Sequence, residues 1–217
     1  MVFKIFPNLK LIKNLKLKIS NFRGITLIEV VVVIFIISLF SMILISDFPK
    51  IQRQFALSRV AYKLAQDLRK TQDLALSGVI IKDQNGSSIA IKGYGIYVNL
   101  MQSTTQYLIY ADVTPGDRKY IGNFSTSLCS QSVAQTSDCP IEIIDVSKEN
   151  SDLYIKDIKN VIGNNGYGVN FSPPNPKIDI NTLSLGKSEI GIVLGLRSDS
   201  SAIRTVWTNT SGLINVQ

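Results

Sequence analysis

The sequence predicts an α+β protein in which a long N-terminal helix, first apolar and then amphipathic, packs on an antiparallel β-rich globular domain. Three observations predict this class. Residues 25–45 form an almost uninterrupted apolar run, residues 47–78 keep a helical spacing of apolar side chains, and short β-rich runs fill the remainder. A chain of 217 residues has room for one ordinary domain plus such an appendage.

The first 24 residues form a basic leader. They hold six of the 23 Lys and Arg residues and no acid, so the remaining 17 basic residues face 16 acidic ones. The net charge of +7 therefore describes this segment and does not indicate a basic binding face on the rest of the chain.

Residues 25–46 are predicted to span a membrane. Residues 25–45 read ITLIEVVVVIFIISLFSMILI, with Glu29 as the only charge, and a helix of 21 residues at ~1.5 Å each crosses a ~30 Å hydrocarbon core. A secretory signal peptide is the competing interpretation, but its apolar run is usually ~7 to 15 residues and ends in an A-x-A-like cleavage site. Because the basic charges precede the run, we expect a single-pass anchor with its N-terminus in the cytoplasm and the C-terminal domain outside.

Residues 47–78 are predicted to continue the helix outside the membrane and to end at Gly78. Pro49 either kinks one continuous helix or lies in the first turn of a second helix with Asp47 as N-cap. Lys63 with Asp67 and Arg69 with Asp73 are four residues apart, a spacing at which each pair can form an ion pair on the helix surface. The buried face is predicted from Leu57, Ala61, Leu64, Leu68 and Ala75.

Residues 79–217 are predicted to form the extracytoplasmic β-rich domain. Several runs alternate apolar and polar residues, as in antiparallel sheets with one solvated face. Asn85-Gly86 and the Thr210-Ser211-Gly212 stretch are predicted hairpin turns.

The composition argues against an enzyme. The chain has no histidine and only two cysteines, which excludes His-based acid/base chemistry, Ser/His/Asp and Cys/His nucleophile systems and four-ligand Cys/His zinc sites. Asp112 and Asp117 are too few carboxylates for a calcium loop, and we expect an ordinary turn there. We expect no metal and no cofactor.

Two further features of the domain have simple interpretations. Cys129 and Cys139 bracket a polar loop in an outward-facing, oxidising compartment, which predicts a disulfide that holds a surface loop. A tyrosine-rich stretch could in principle stack on nucleic-acid bases, but with the charge near zero beyond residue 24 we expect core packing instead. Its members are Tyr94, Tyr97, Tyr107, Tyr110 and Tyr120.

The junction RGITLIEVVVVIFIISLF places an acid, Glu29, inside an apolar span, where an ionised group costs ~3 kcal/mol at mid-span. Arg23-Gly24 followed by Ile25-Thr26-Leu27-Ile28-Glu29 resembles the junction of type IV prepilins and type II secretion pseudopilins. Ile25 replaces the phenylalanine that is common in that family.

The resemblance implies cleavage between Gly24 and Ile25 by a membrane prepilin peptidase, followed by N-methylation of Ile25. It assigns Thr26 and Glu29 to assembly, with Glu29 pairing with the N-terminal amine of a neighbouring subunit. The implied partners are the peptidase, other pilins or pseudopilins through the N-terminal helix, an assembly platform, and membrane lipid before assembly. The implied fold is type IV pilin-like.

A second resemblance covers more of the chain. RVAYKLAQDLRKTQDLALSG, GYGIYVN, VNFSPPNPKI and IRTVWTNTSGLINV follow in order the pattern of GspH/FimT-type minor pseudopilins and pilins, although the usual Gly-Arg of the last hairpin is Gly212-Leu213 here. The hypothesis is therefore a minor structural subunit of a type II secretion pseudopilus or type IV pilus. The alternatives are an unprocessed, membrane-anchored extracytoplasmic binding domain and a minor pilin of DNA uptake.

Overall fold

The computed structural model of the chain describes residues 24–82, 86–113, 119–122, 124, 137–163, 166–173, 177–181 and 183–217. A single long helix, α1 (Leu27–Ser77), comes first and β strands follow it. The predicted α+β class, with an N-terminal helix packed on antiparallel sheets as in a pilin-like fold, is confirmed. The chain divides after Asp47 into two compact units, each described by itself below.

The helix α1 contains Pro49, so the proline lies within one continuous helix and does not begin a second one. Gly78 follows the last helical residue with a φ of +61°, a left-handed conformation that glycine adopts at little cost and that commonly terminates helices. Val79 follows Gly78, and its carbonyl oxygen accepts a hydrogen bond from the hydroxyl of Tyr94 at 2.6 Å. This bond fixes the segment after the helix to the globular domain.

Within the described residues, every strand pairing is antiparallel, and the strands form three sheets. In chain order they are β1 (Ile81–Lys82), β2 (Ser88–Ile89), β3 (Gly93–Val98), β4 (Gln106–Asp112), β5 (Cys139–Asp145), β6 (Leu153–Lys159), β7 (Tyr167–Ser172), β8 (Lys177–Ile180), β9 (Glu189–Leu196), β10 (Ile203–Asn209) and β11 (Ile214–Val216). A five-stranded sheet has the order β5-β4-β3-β7-β8, a four-stranded sheet has the order β11-β10-β9-β6, and β1 pairs with β2.

The second half of α1 packs on both larger sheets through one apolar face. Its buried residues recur at three-to-four spacing and join the inner faces of the sheets in a single hydrophobic core. They are Ala56, Leu57, Val60, Ala61, Leu64, Ala65, Leu68, Thr71 and Ala75. From the sheets, Ile109 and Phe171 on one side and Leu194 on the other are completely or almost completely buried in this core.

A buried hydroxyl also ties the five-stranded sheet to the helix. Tyr107, on β4, is fully buried, and its hydroxyl donates to the Asp67 carboxylate at 2.6 Å. Asp67 therefore bonds to a residue 40 positions away, and among the described residues it forms no ion pair with Lys63, contrary to the prediction from their spacing.

Ion pairs at the surface connect the helix with the strands or the turns beside them. They are Arg53–Asp152 at 3.9 Å, Arg59–Glu149 at 3.2 Å and Lys70–Glu142 at 3.1 Å. Because these side chains are partly exposed, each pair contributes at most about 1 kcal/mol. The apolar core and the Tyr107–Asp67 hydrogen bond therefore hold the helix on the sheets more firmly than the ion pairs do.

Candidate functional site: the start of the N-terminal helix

Thr26 is the N-cap of α1. Its side-chain oxygen accepts a hydrogen bond from the backbone N–H of Glu29 at 3.3 Å. Its carbonyl oxygen accepts from the N–H groups of Glu29 and Val30 at 3.1 and 3.3 Å. These bonds satisfy donors that the first turn of a helix otherwise leaves open, so Thr26 fixes where the helix begins.

Thr26 and Glu29 together have the spacing of a capping box, Thr-x-x-Glu, in which the acid lies in the first turn of the helix. A carboxylate at this position is also favoured by the helix dipole, by about 0.3–1 kcal/mol. The family resemblance assigned both residues to assembly, and Glu29 also stands out as an acid inside an apolar span. The Thr-x-x-Glu spacing itself predicts that the threonine side chain accepts a hydrogen bond from the backbone N–H of the glutamate.

The apolar span that follows is exposed throughout. None of the described residues 24–45 is buried, and large side chains such as Phe35 and Phe40 have more than half of their surface accessible, at 61% and 65%. At about 25 cal/mol per Å² of apolar surface, a run of this kind is stable only where lipid or other apolar helices cover it. By length and composition this helix can cross a membrane.

Glu29 differs from the other polar side chains in residues 27–45. The hydroxyls of Ser38 and Ser41 donate to the carbonyl oxygens of Ile34 and Ile37, both at 2.8 Å, so they bring no unsatisfied donor into an apolar environment. Within this described stretch, Glu29 is the one polar residue whose side chain makes no hydrogen bond or ion pair. Its carboxylate is therefore available to a partner outside this chain.

Gly24 and Ile25 precede the helix and are both exposed, Ile25 at 75%. A Cβ atom added at Gly24 would meet no atom of the described residues within 4 Å, and its φ lies outside the left-handed region. Within the described part of the chain, neither packing nor backbone conformation therefore requires a glycine at the position. Residues 1–23 of the basic leader lie outside the described residues.

The remaining predicted residues lie in the globular domain. Cys139 is buried at the start of β5, whereas Cys129 lies outside the described residues, so their pairing stays a prediction. Asp112 is buried at the end of β4, where its carboxylate accepts a hydrogen bond from Asn170 at 3.2 Å, and Asp117 is again outside the described part. Among the described residues, no group of three or more His, Cys, Asp or Glu is placed to hold a metal ion.

The tyrosines of the aromatic stretch pack within the domain. Tyr94, Tyr107 and Tyr110 are buried, so their rings are inaccessible to nucleic-acid bases. The ring centroid of Tyr120 lies 4.6 Å from that of Tyr97 and 5.0 Å from that of Tyr110. Burial raises the pKa of Tyr120 to about 12, with smaller contributions from the charge of Asp138 and from Tyr97. The preference for core packing in the sequence analysis is confirmed for the three buried rings.

Comparison with known proteins identifies one family, at the N-terminus. Residues 19–45 match the family model described as the prokaryotic N-terminal methylation motif. No curated protein and no solved structure matches the chain at a significant level. A prepilin-type motif implies processing by a prepilin peptidase and assembly with other pilins. The chain thus carries the prokaryotic N-terminal methylation motif at the start of its long apolar helix, and in this part it is type IV prepilin-like.

Proposed function

We propose that the chain is a structural subunit of a pilus or pseudopilus. It is synthesised with residues 1–24 as a cytoplasmic leader, cut between Gly24 and Ile25 by a prepilin peptidase, N-methylated at Ile25, and assembled as a minor subunit of a type II secretion pseudopilus or type IV pilus. One observation carries the proposal: the methylation motif, residues 19–45, coincides with the apolar first part of α1, where none of the described residues 24–45 is buried.

The environment of Gly24 supports cleavage at this bond. Because nothing in the described chain contacts the position or demands glycine there, the requirement for glycine comes from outside the fold. A peptidase that must bring the backbone into its active site supplies such a requirement, since a side chain beside the scissile bond obstructs close approach. Substitution of Gly24 is then a test of processing that leaves the folded domain unchanged.

The free carboxylate of Glu29 supports assembly through charge pairing. Cleavage creates a positive amine at Ile25, four residues before Glu29, at the edge of the apolar span. In a bundle of such helices, the amine of one subunit and the Glu29 carboxylate of the next attract by about 4 kcal/mol at 4 Å and an effective dielectric of 20, before desolvation is counted. This pairing sets the axial register of neighbouring helices, and Thr26 fixes the backbone that presents both groups.

The rest of the chain is assigned in the same proposal. Residues 25–46 lie in the cytoplasmic membrane, covered by lipid before assembly and by the helices of other pilins afterwards, with an assembly platform as a further partner. Residues 47–78 continue the helix outside the membrane, and residues 79–217 form the outward-facing domain. The Ala- and Leu-rich buried face of α1 and the closing β10–β11 hairpin support the GspH/FimT-type minor assignment.

Assembly is tested by cross-linking in membranes that contain the full chain and a coexpressed prepilin peptidase. Glu29→Ala is compared with Ser38→Ala, a polar-to-alanine change in the same span whose hydroxyl is already satisfied by the carbonyl of Ile34. We expect Glu29→Ala to lose most cross-linked dimers while its leader is still removed, and Ser38→Ala to behave as the parent chain does.

The outcomes separate the proposed functions. Equal cross-linking of Glu29→Ala and the parent chain would contradict charge pairing. Retention of residues 1–24 in every sample would instead favour the unprocessed membrane-anchored domain.

A further inference from the structure

A small groove lies on the outer face of the four-stranded sheet, at its β11 edge, far along the chain from the N-terminal motif. Its volume is about 160 Å³. The strand register brings the lining residues to one face of the sheet. Trp207 on β10 lies opposite Gly191 on β9 and Asn215 on β11, and residues two positions further along each strand point to the same face. The lining residues are Glu189, Trp207, Asn209, Leu213, Asn215 and Gln217.

The indole of Trp207 forms a flat floor in this groove. Three consecutive atoms of its six-membered ring lie 2.8–2.9 Å from the place where a Cβ atom at Gly191 would stand, so the ring lies face-down on the Gly191 backbone. Trp207 is only half-buried, which leaves the opposite ring face towards solvent. The ammonium of Lys159 lies over the ring at 5.9 Å from its centroid, at the outer limit of a cation–π contact.

Polar groups without partners surround this ring. Within the described residues, the side chains of Glu189, Asn215 and Gln217 make no hydrogen bond or ion pair, and all three are exposed. Asn209 differs, because its side-chain oxygen accepts from the backbone N–H of Ser211 at 3.0 Å and so shapes the hairpin instead. The groove thus offers two amides and one carboxylate beside an open aromatic face.

We infer that this groove binds a neutral saccharide ring. The C–H face of a pyranose packs on a flat indole, while its hydroxyls both donate and accept, as amide groups require. One carboxylate, Glu189, lines the groove and one ammonium, that of Lys159, lies 5.9 Å from the ring centroid, so the described residues offer no cluster of cations for a phosphate-bearing ligand. The volume is below the ~300 Å³ at which drug-sized pockets begin and suits a single sugar ring.

Tryptophan fluorescence tests this inference directly, because Trp207 is the only tryptophan in the chain. The detergent-solubilised full chain is titrated separately with the methyl glycosides of glucose, galactose, mannose and N-acetylglucosamine. We expect a saturable change in Trp207 emission with at least one glycoside, at a Kd near 1 mM. The double variant Asn215→Ala, Gln217→Ala retains the fluorophore and should weaken that binding at least about fivefold.

Tyr154→Ala provides the matched control. Tyr154 is an aromatic residue on the same outer face but on β6, at the opposite edge of the sheet, and its loss should leave the titration unchanged. The absence of a saturable change with all four glycosides at about 50 mM would overturn the inference, since a site with a Kd of 1 mM would be nearly filled. Equal affinity in the Asn215/Gln217 double variant would overturn it as well.

Discussion

The hydrogen bond between Tyr107 and Asp67 gives a quantitative prediction about how the helix is held on the sheet. Tyr107→Phe removes only the hydroxyl and leaves the half-buried Asp67 carboxylate able to regain water. A hydrogen bond to a charged group contributes about 1.5–3 kcal/mol, so we expect a loss near the lower value. Asp67→Ala leaves the fully buried Tyr107 hydroxyl without its acceptor and should cost more, about 2–3 kcal/mol.

A double-mutant cycle measures this coupling. Urea unfolding of the full chain in detergent, followed by near-ultraviolet circular dichroism, gives the free energy of unfolding for each variant. The Tyr107→Phe, Asp67→Ala double variant should lose at least about 1 kcal/mol less than the two single losses together, because one bond cannot be lost twice. Asp73→Ala, at an exposed position of the same helix, corrects for the gain in helix propensity.

Additive losses, within about 0.5 kcal/mol, would refute this account of the contact. A loss for Tyr107→Phe as large as that for Asp67→Ala would refute the argument from unequal burial.

Three further predictions concern the globular domain. Leu64→Ala, in the completely buried face of α1, should lower the free energy of unfolding by about 2–5 kcal/mol in the same urea assay. Burial raises the pKa of both Tyr107 and Tyr120, so each stabilises the fold fully below pH ~10, the ordinary pKa of tyrosine. Above that pH the unfolded chain loses these protons more readily than the folded chain, and the stabilisation is lost. Tyr107→Phe should therefore make the free energy of unfolding fall less steeply at alkaline pH. In the urea-denatured chain, Cys129 and Cys139 should resist alkylation until a reductant is added, as mass spectrometry would show, and full alkylation without reductant would contradict the predicted disulfide.

Local periodicity was sufficient to predict the helix and the character of the sheets. The apolar run at residues 25–45 and the three-to-four spacing of Leu57, Ala61 and Leu64 each depend on neighbours within a few turns, which a sequence displays directly. The N-cap at Thr26 is equally local, and the Thr-x-x-Glu spacing in the sequence is sufficient to predict it.

Contacts between distant parts of the chain were not predictable in this way. The spacing of Lys63 and Asp67 favoured a surface ion pair, but Asp67 bonds to Tyr107 because the sheet brings β4 against the helix. The floor of the Trp207 groove depends on its register with Gly191, 16 positions earlier, which alternation along one strand does not specify. Strand order is likewise absent from the local pattern, since β3 pairs with β7 across three intervening strands.

The proposed processing of the N-terminus is tested most directly by mass. The full chain is extracted from membranes after coexpression with a prepilin peptidase, and its intact mass and N-terminal peptide are measured beside Gly24→Val. We predict a chain that begins at N-methylated Ile25, and a Gly24→Val chain that keeps its leader while folding normally, because a Cβ atom at position 24 would meet no atom of the described residues within 4 Å. A parent chain that still begins with residues 1–24 would contradict the account.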